Sequence, residues 1–133
     1  MSPPTPPPPT WLEARARRTP DAEALVVGSR SVSFRALAAR ARRVARGLGA
    51  MGAVPERPVA LRLGGEAFAV ALHACWALGA PALPLHGRLP AAEAAEQAAW
   101  AGAPWILEEA GLAEAEARGA DAGPTSPPSV GGA

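Results

Sequence analysis

The stretch Trp76-Ala77-Leu78-Gly79-Ala80-Pro81-Ala82-Leu83-Pro84-Leu85 decides the reading of this 133-residue chain. It closes an apolar run that starts near Glu66, turns at Gly79, and continues as alternating proline and aliphatic residues. Glycine reaches left-handed backbone angles at little cost, so Gly79 reads as a helix stop. Pro81 and Pro84 suit a short strand near an edge or bend. Helix, tight turn and strand make the second half of a βαβ unit. Working outward, residues 58–63 (PVALRL) supply the strand before the helix. Residues 90–101 read as a further helix and Trp105-Ile106-Leu107 as a third strand. Strands alternating with helices of this length predict an α/β fold built from parallel βαβ units with right-handed crossovers.

The N-terminal half has a different pattern. Residues 1–10 form a Pro-rich leader, and residues 11–18 a short helix stopped by Thr19-Pro20-Asp21, because proline disfavours helical angles in the residue before it. Ala24-Leu25-Val26-Val27 and Ser31-Val32-Ser33 flank Gly28-Ser29-Arg30, which predicts a short β-hairpin. Ser33 is placed to cap a helix over residues 34–48. Leu37, Ala41, Val44, Ala45, Leu48 and Met51 share one helical face. Arg35, Arg42, Arg43 and Arg46 lie on the other, where a basic stripe is expected to be a solvated face. Gly47, Gly49 and Gly52 read as a fraying helix end and a turn. Beyond Leu107, residues 108–118 are expected to form one more helix, with Glu114 and Arg118 at the favourable four-residue spacing. Residues 119–133 turn to Gly, Pro and Ser and read as a disordered tail.

Composition narrows the function classes. With 49% apolar and 19% charged residues the chain suits one globular domain, and its single Cys excludes a disulfide framework or a cysteine-based zinc site. All thirteen basic residues other than His are Arg. The absence of Lys removes Schiff-base chemistry and any phosphate loop that needs an ammonium. Nine Arg and three acids up to Arg46 leave +6, and four Arg and nine acids from Glu56 onward leave −5. Such asymmetry can mark a nucleic-acid face, but the arginines and the tryptophans lie apart, so nucleic-acid binding is disfavoured. Residues 67–85 are apolar enough to draw attention as a membrane span. Gly79, Pro81 and Pro84 cut them down to a core helix, so no membrane role is expected. No secretory pattern opens the chain, and the cytoplasm is the expected compartment.

Candidate chemistry is sparse. His73 and Cys75 stand two apart on a helix and therefore point away from each other; both read as packing residues. His86 follows a strand end, where sites in open parallel sheets lie, but no orienting partner is identifiable in the sequence. Glu93 with Glu96, and Glu108 with Glu109, are acid pairs without a His or Asp at ligand spacing, and read as solvated charges. Thr125, Ser126, Gly131 and Gly132 faintly resemble a phosphate loop, but Pro127-Pro128 remove the N–H groups such a loop uses. Trp76, Trp100 and Trp105 are expected to be core anchors.

The order of these elements resembles the start of the adenylate-forming (AMP-binding) ligases. These include acyl-CoA synthetases, 2-succinylbenzoate–CoA ligase and the adenylation domains of nonribosomal peptide synthetases. Residues 11–26, with Thr19-Pro20-Asp21 and Ala24-Leu25, look like the family's entry. Val32-Ser33-Phe34-Arg35-Ala36-Leu37 is similar to its first core motif and Arg57-Pro58-Val59-Ala60-Leu61 to its "DRVAL" strand. Residues 76–85 are similar to "KAGAVYVPL", and His86-Gly87-Arg88-Leu89 to Asn-x-Arg-Leu. The likeness covers residues 11–107. Departures are Ala36 in place of Glu, His86 in place of Asn, and Pro90 in place of a capping Thr, which predicts a somewhat weakened fold.

The resemblance implies a partial N-terminal subdomain. It also implies, for the full-length enzyme, ATP, Mg2+ and CoA as cofactors and a carboxylic acid as substrate. The family's phosphate loop and catalytic Lys have no matching position here, so no catalytic, cofactor-binding or metal residue is carried over. The expectation is an N-terminal fragment of an AMP-dependent synthetase, inactive by itself, leaning towards the 2-succinylbenzoate or general acyl-CoA ligase type. The alternatives are an α/β interaction module that pairs through an exposed sheet edge and, more weakly, an Arg-rich nucleic-acid binder.

Overall fold

The computed structural model describes residues 10–121. Helix α1 (Trp11–Arg18) is capped by Thr10, whose Oγ1 accepts the Glu13 N–H at 3.2 Å. The antiparallel hairpin follows as β1 (Glu23–Val27) and β2 (Arg30–Ser33), turning at Gly28 as expected. Ser33 then caps α2 (Phe34–Ala50), its Oγ accepting the Ala36 N–H at 3.1 Å. A cap of this kind satisfies one of the N–H groups that the first helical turn leaves without a partner.

The second half is the expected parallel unit. Its elements are β3 (Val59–Leu61), α3 (Gly65–Leu78), β4 (Ala82–Pro84), α4 (Ala91–Ala101), β5 (Ile106–Leu107) and α5 (Glu109–Asp121). The sheet order is β4-β3-β5, all parallel, so the chain moves one way from β3 to β4 and then crosses back over β3. Right-handed crossovers running in opposite directions must put α3 and α4 on opposite faces. The side chains of β3 confirm it by their alternation. Val59 and Leu61 enter the main core with α2 and α3, while Ala60 enters a smaller cluster with Leu85, Ala94, Ala98 and Ala103 beneath α4. Gly79 and Gly102 end α3 and α4 at φ +77° and +82°, the left-handed angles that a glycine adopts without strain.

The centre of the main core is α2, flanked by α1, α3 and α5. Helix α5 lies against α2 with Leu112 and Ala115 buried, and it extends past Arg118 to Asp121. Gly119 to Asp121, expected in a disordered tail, are therefore helical; the rest of that tail and the leader to Pro9 lie outside the described residues. The two helices approach backbone to backbone. A Cβ added at Gly47 would stand 1.7 Å from the Ala115 carbonyl oxygen, and one added at Gly119 would stand 1.7 Å from the Arg43 carbonyl oxygen. Gly47 is thus no frayed end but the residue that lets α5 dock.

Two further expectations are corrected. Trp76 is 51% and Trp100 93% exposed, so neither anchors the core; the half-buried Trp105 packs against it. On α4 the buried positions are Ala94 and Ala98, and Trp100 lies two residues on, about 200° round the helix. The basic face of α2 is not simply solvated either. Arg42 pairs with Glu13 at 2.9 Å, and Arg40 bridges Glu66 and Glu116 at 3.0 Å each. Arg43 also reaches Glu116 at 3.0 Å, and Arg30 joins Glu66.

Candidate functional site

In an open parallel sheet, ligands bind beyond the carboxyl ends of the strands where the strand order reverses. Here that point lies beyond β3, and the residue just past its end is Arg62, the cation within the otherwise apolar stretch of residues 58–63. Its backbone N–H bonds the Leu107 carbonyl at 3.0 Å, joining it to the end of β5. Its guanidinium donates to Glu108 at 2.7 Å and to the Leu89 carbonyl oxygen in the β4–α4 connection. Arg62 therefore ties together the loops after β4 and β5. The sequence signal was present, since a charge in a buried strand needs a partner, but Glu108 read as a solvated acid.

His86 also lies at this end, exposed, with Nδ1 accepting the Arg88 N–H at 3.0 Å. That bond shapes the His86-Gly87-Arg88 turn and makes His86 a local turn residue. Glu93 and Glu96 are exposed on α4, and Glu109 opens α5, exposed, one residue beyond the Arg62–Glu108 pair. Thr125, Ser126, Gly131 and Gly132 lie outside the described residues.

His73 and Cys75 separate as the helical geometry requires. Cys75 is fully buried, and burial pushes its thiol up to about 11, so it stays protonated and unreactive at neutral pH. His73 faces Trp11 and Trp76, with ring centroids at 6.0 and 5.0 Å, and burial lowers its pKa below the usual imidazole value. Its Nδ1 is buried without a partner.

The strongest electrostatic constellation is the α2–α5 network. Hydrogen bonds from Arg40, and secondarily from Arg43, hold the Glu116 carboxyl below its ordinary value against the opposing effect of burial. The same contacts raise Arg40. These groups neutralise one another and fix α5 on α2, so the network is structural. Among the described residues, no group of three His, Cys, Asp or Glu side chains converges to hold a metal ion. At Arg62 the two terminal guanidinium nitrogens are taken by Glu108 and the Leu89 carbonyl oxygen, while Nε is buried without a partner.

Residues 12–129 match the family described as AMP-binding enzyme. The chain belongs to that family. Phosphinothricin tripeptide synthetase PhsC of Streptomyces viridochromogenes is 39% identical over 103 residues, which is 77% of this chain and 10% of PhsC. O-succinylbenzoate Coenzyme A synthetase of Bacillus subtilis, solved in complex with AMP, superposes with a TM-score of 0.73 at 26% identity. That match covers 83% of this chain and 33% of the synthetase. The same synthetase in complex with ATP and magnesium ion gives 0.70 at 32% identity, covering 75% and 28%. The N-terminal subdomain of NpsA from Klebsiella oxytoca shares the fold, with a TM-score of 0.67 at 23% identity, covering 71% and 25%. The chain is thus an N-terminal piece of an AMP-binding ligase, spanning about a third of the synthetase it superposes on. The fold expected from its βαβ pattern and hairpin is the one observed.

Proposed function

We propose that this chain contributes the non-catalytic N-terminal scaffold of a carboxylate-activating enzyme. The completed enzyme would form an acyl-adenylate from a carboxylic acid and ATP, with Mg2+, and transfer the acyl group to a thiol such as that of CoA. The residues of this chain take no step in that chemistry. The observation that carries the reading is the combination of a family match over residues 12–129 with a sheet whose carboxyl end is closed by Arg62 and Glu108. Among the described residues no helix is long and apolar enough to cross a membrane, which suits a cytoplasmic enzyme.

Pairing through an open sheet edge is a narrower second reading. On β4, Pro81 and Leu85 direct backbone groups at β3, so alternation turns Ala82 and Pro84 outward. Pro84 has no N–H, which leaves the Ala82 N–H as the outward donor of the strand and blunts this edge.

ATP–pyrophosphate exchange with the purified chain, across aliphatic, aromatic and amino acids, tests the main reading. No exchange above the protein-free blank is expected. Acid-dependent exchange by the 133-residue chain would place catalytic groups within it and overturn the proposal.

A further inference from the structure

Helices α1 and α3 meet through aromatic rings. Trp11 of α1 and His73 of α3 have ring centroids 6.0 Å apart and planes 20° from parallel, while Trp76 of α3 meets the imidazole at 5.0 Å and 86°. The imidazole thus has one indole from its own helix and one from a neighbouring helix against it. Its Nδ1 is buried, and among the described residues no hydrogen-bond partner reaches it. The neutral ring tolerates this position, because its single N–H can sit on Nε2 and leave a bare nitrogen inside. The imidazolium does not, because it carries an N–H on both nitrogens.

We propose that the Trp11–His73 stack is a proton-controlled latch, which holds the first turn of α1 on α3 while His73 is neutral and opens when the ring takes up a proton. A buried N–H that shares a positive charge and has no acceptor costs more than the attraction of a half-exposed indole face returns. The charged ring therefore shifts until water reaches Nδ1. Trp76 is on the same helix and can follow the imidazole. Trp11 belongs to α1, so the contact that breaks is the one between helices. The Trp11 side is 62% exposed and has little packing to lose, whereas Leu12 is buried and keeps the rest of α1 anchored.

No carboxylate is placed to hold the added proton in the stack. Glu66, the one charged residue of α3 at neutral pH, is two helical turns from His73, about 10 Å along the axis, and is bonded to Arg30 and Arg40. Glu116 of α5 is bonded to Arg40 and Arg43 of α2. On α1, Glu13 pairs with Arg42, and Arg15 lies against the Phe34 ring. Glu23 of β1 is exposed, and β3 and β4 carry no charge. Burial is accordingly what sets His73 below its ordinary value of 6.5. A base that is harder to protonate in the folded state adds its full stability above 6.5, and that contribution is lost as the pH falls from 6.5 through the lowered value.

The test reads the natural full-length chain by NMR from about pH 7.5 to about pH 5.5, where an imidazole titrates. The His73 Cε1–H midpoint is expected below 6.5. The reporters of the latch are the Glu13 and Ala14 amides, which bond the Thr10 Oγ1 and carbonyl oxygen. Their exchange protection, corrected for the intrinsic pH dependence of exchange, should fall about tenfold for each unit by which the midpoint is lowered. Amides of α5 should keep their protection, because Glu116 titrates below this range. His73→Phe keeps a ring in the stack and removes the proton, so its Glu13 and Ala14 protection should be equal at both ends. A His73 midpoint at or above 6.5 overturns the latch, as does α1 protection that stays constant while His73 titrates. So does a His73→Phe chain that loses α1 protection over the same range. The first two outcomes are read on the natural chain and stand whether or not the variant folds.

Discussion

Replacing Gly47 by Ala should destabilise this protein, although the same change in an exposed helix interior is favourable. The new Cβ would stand 1.7 Å from the Ala115 carbonyl oxygen, 2.4 Å from its carbon and 2.7 Å from its Cα. All three are backbone atoms, so no side chain can swing aside. Restoring ordinary contact requires α5 to retreat by roughly 1.5–2 Å. That retreat loosens Leu112 and Ala115 in the core and stretches the Arg40–Glu116 and Arg43–Glu116 bonds, now at 3.0 Å. Overpacking against rigid structure costs about 1–3 kcal/mol, and the loosened contacts add to it, against a helix-propensity gain of about 1 kcal/mol. A net loss of about 2–3 kcal/mol is expected, a large share of the ~5–15 kcal/mol typical of a domain. Gly49→Ala is the internal control. Its Cβ would find Leu78 Cδ2 at 3.9 Å, an ordinary contact, so a gain of about 0.5 kcal/mol is expected. Urea unfolding followed by far-ultraviolet circular dichroism reads both. A Gly47→Ala midpoint at or above that of the natural chain would refute the close helix crossing, as would equal losses at both positions.

Two more outcomes are open to measurement. The folded-state pKa of Glu116 lies below its unfolded value, so its stabilisation is fully present above the ordinary carboxylate range and is lost as pH falls through the depressed value. Acid titration should therefore release α5, and Glu116→Gln should flatten that acid limb while lowering stability at neutral pH. Trp100→Ser should change stability by less than about 0.5 kcal/mol, because the side chain is 93% exposed; a loss of the ~3–5 kcal/mol typical of a buried Trp would restore it to the core.

Most of the element order was legible because it rests on local signals. The Gly79 turn, the Ser33 cap and the hairpin at Gly28 each need a particular backbone or hydroxyl at one position, and each took effect where expected. What escaped notice depends on partners distant in sequence. Gly47 looked like a fraying residue because only the position of Ala115 reveals that it is an approach site. Arg43 looked solvated because its acceptor, Glu116, lies on α5, 73 residues further along the chain. The tryptophans were a different error. Size suggested burial, yet the spacing of Ala94, Ala98 and Trp100 already put the ring on the far face of α4. At the candidate site, the strand-end position of His86 was visible in the sequence, but the clamp by Arg62 was not, because it joins three loops.

The seating of α5 on α2 also sets a timetable for synthesis. Arg40 and Glu116 are 76 residues apart in the chain. At roughly 5–20 residues per second, a ribosome needs about 4–15 seconds to make the stretch between them. Throughout that interval α2 is made but one of its flanks is bare, with Gly47 opposite nothing and its arginines lacking Glu116. The final packing of α2 thus waits on almost the last described turn of the chain, and the newly made N-terminal half passes through a period in which it must be kept from sticking to its neighbours.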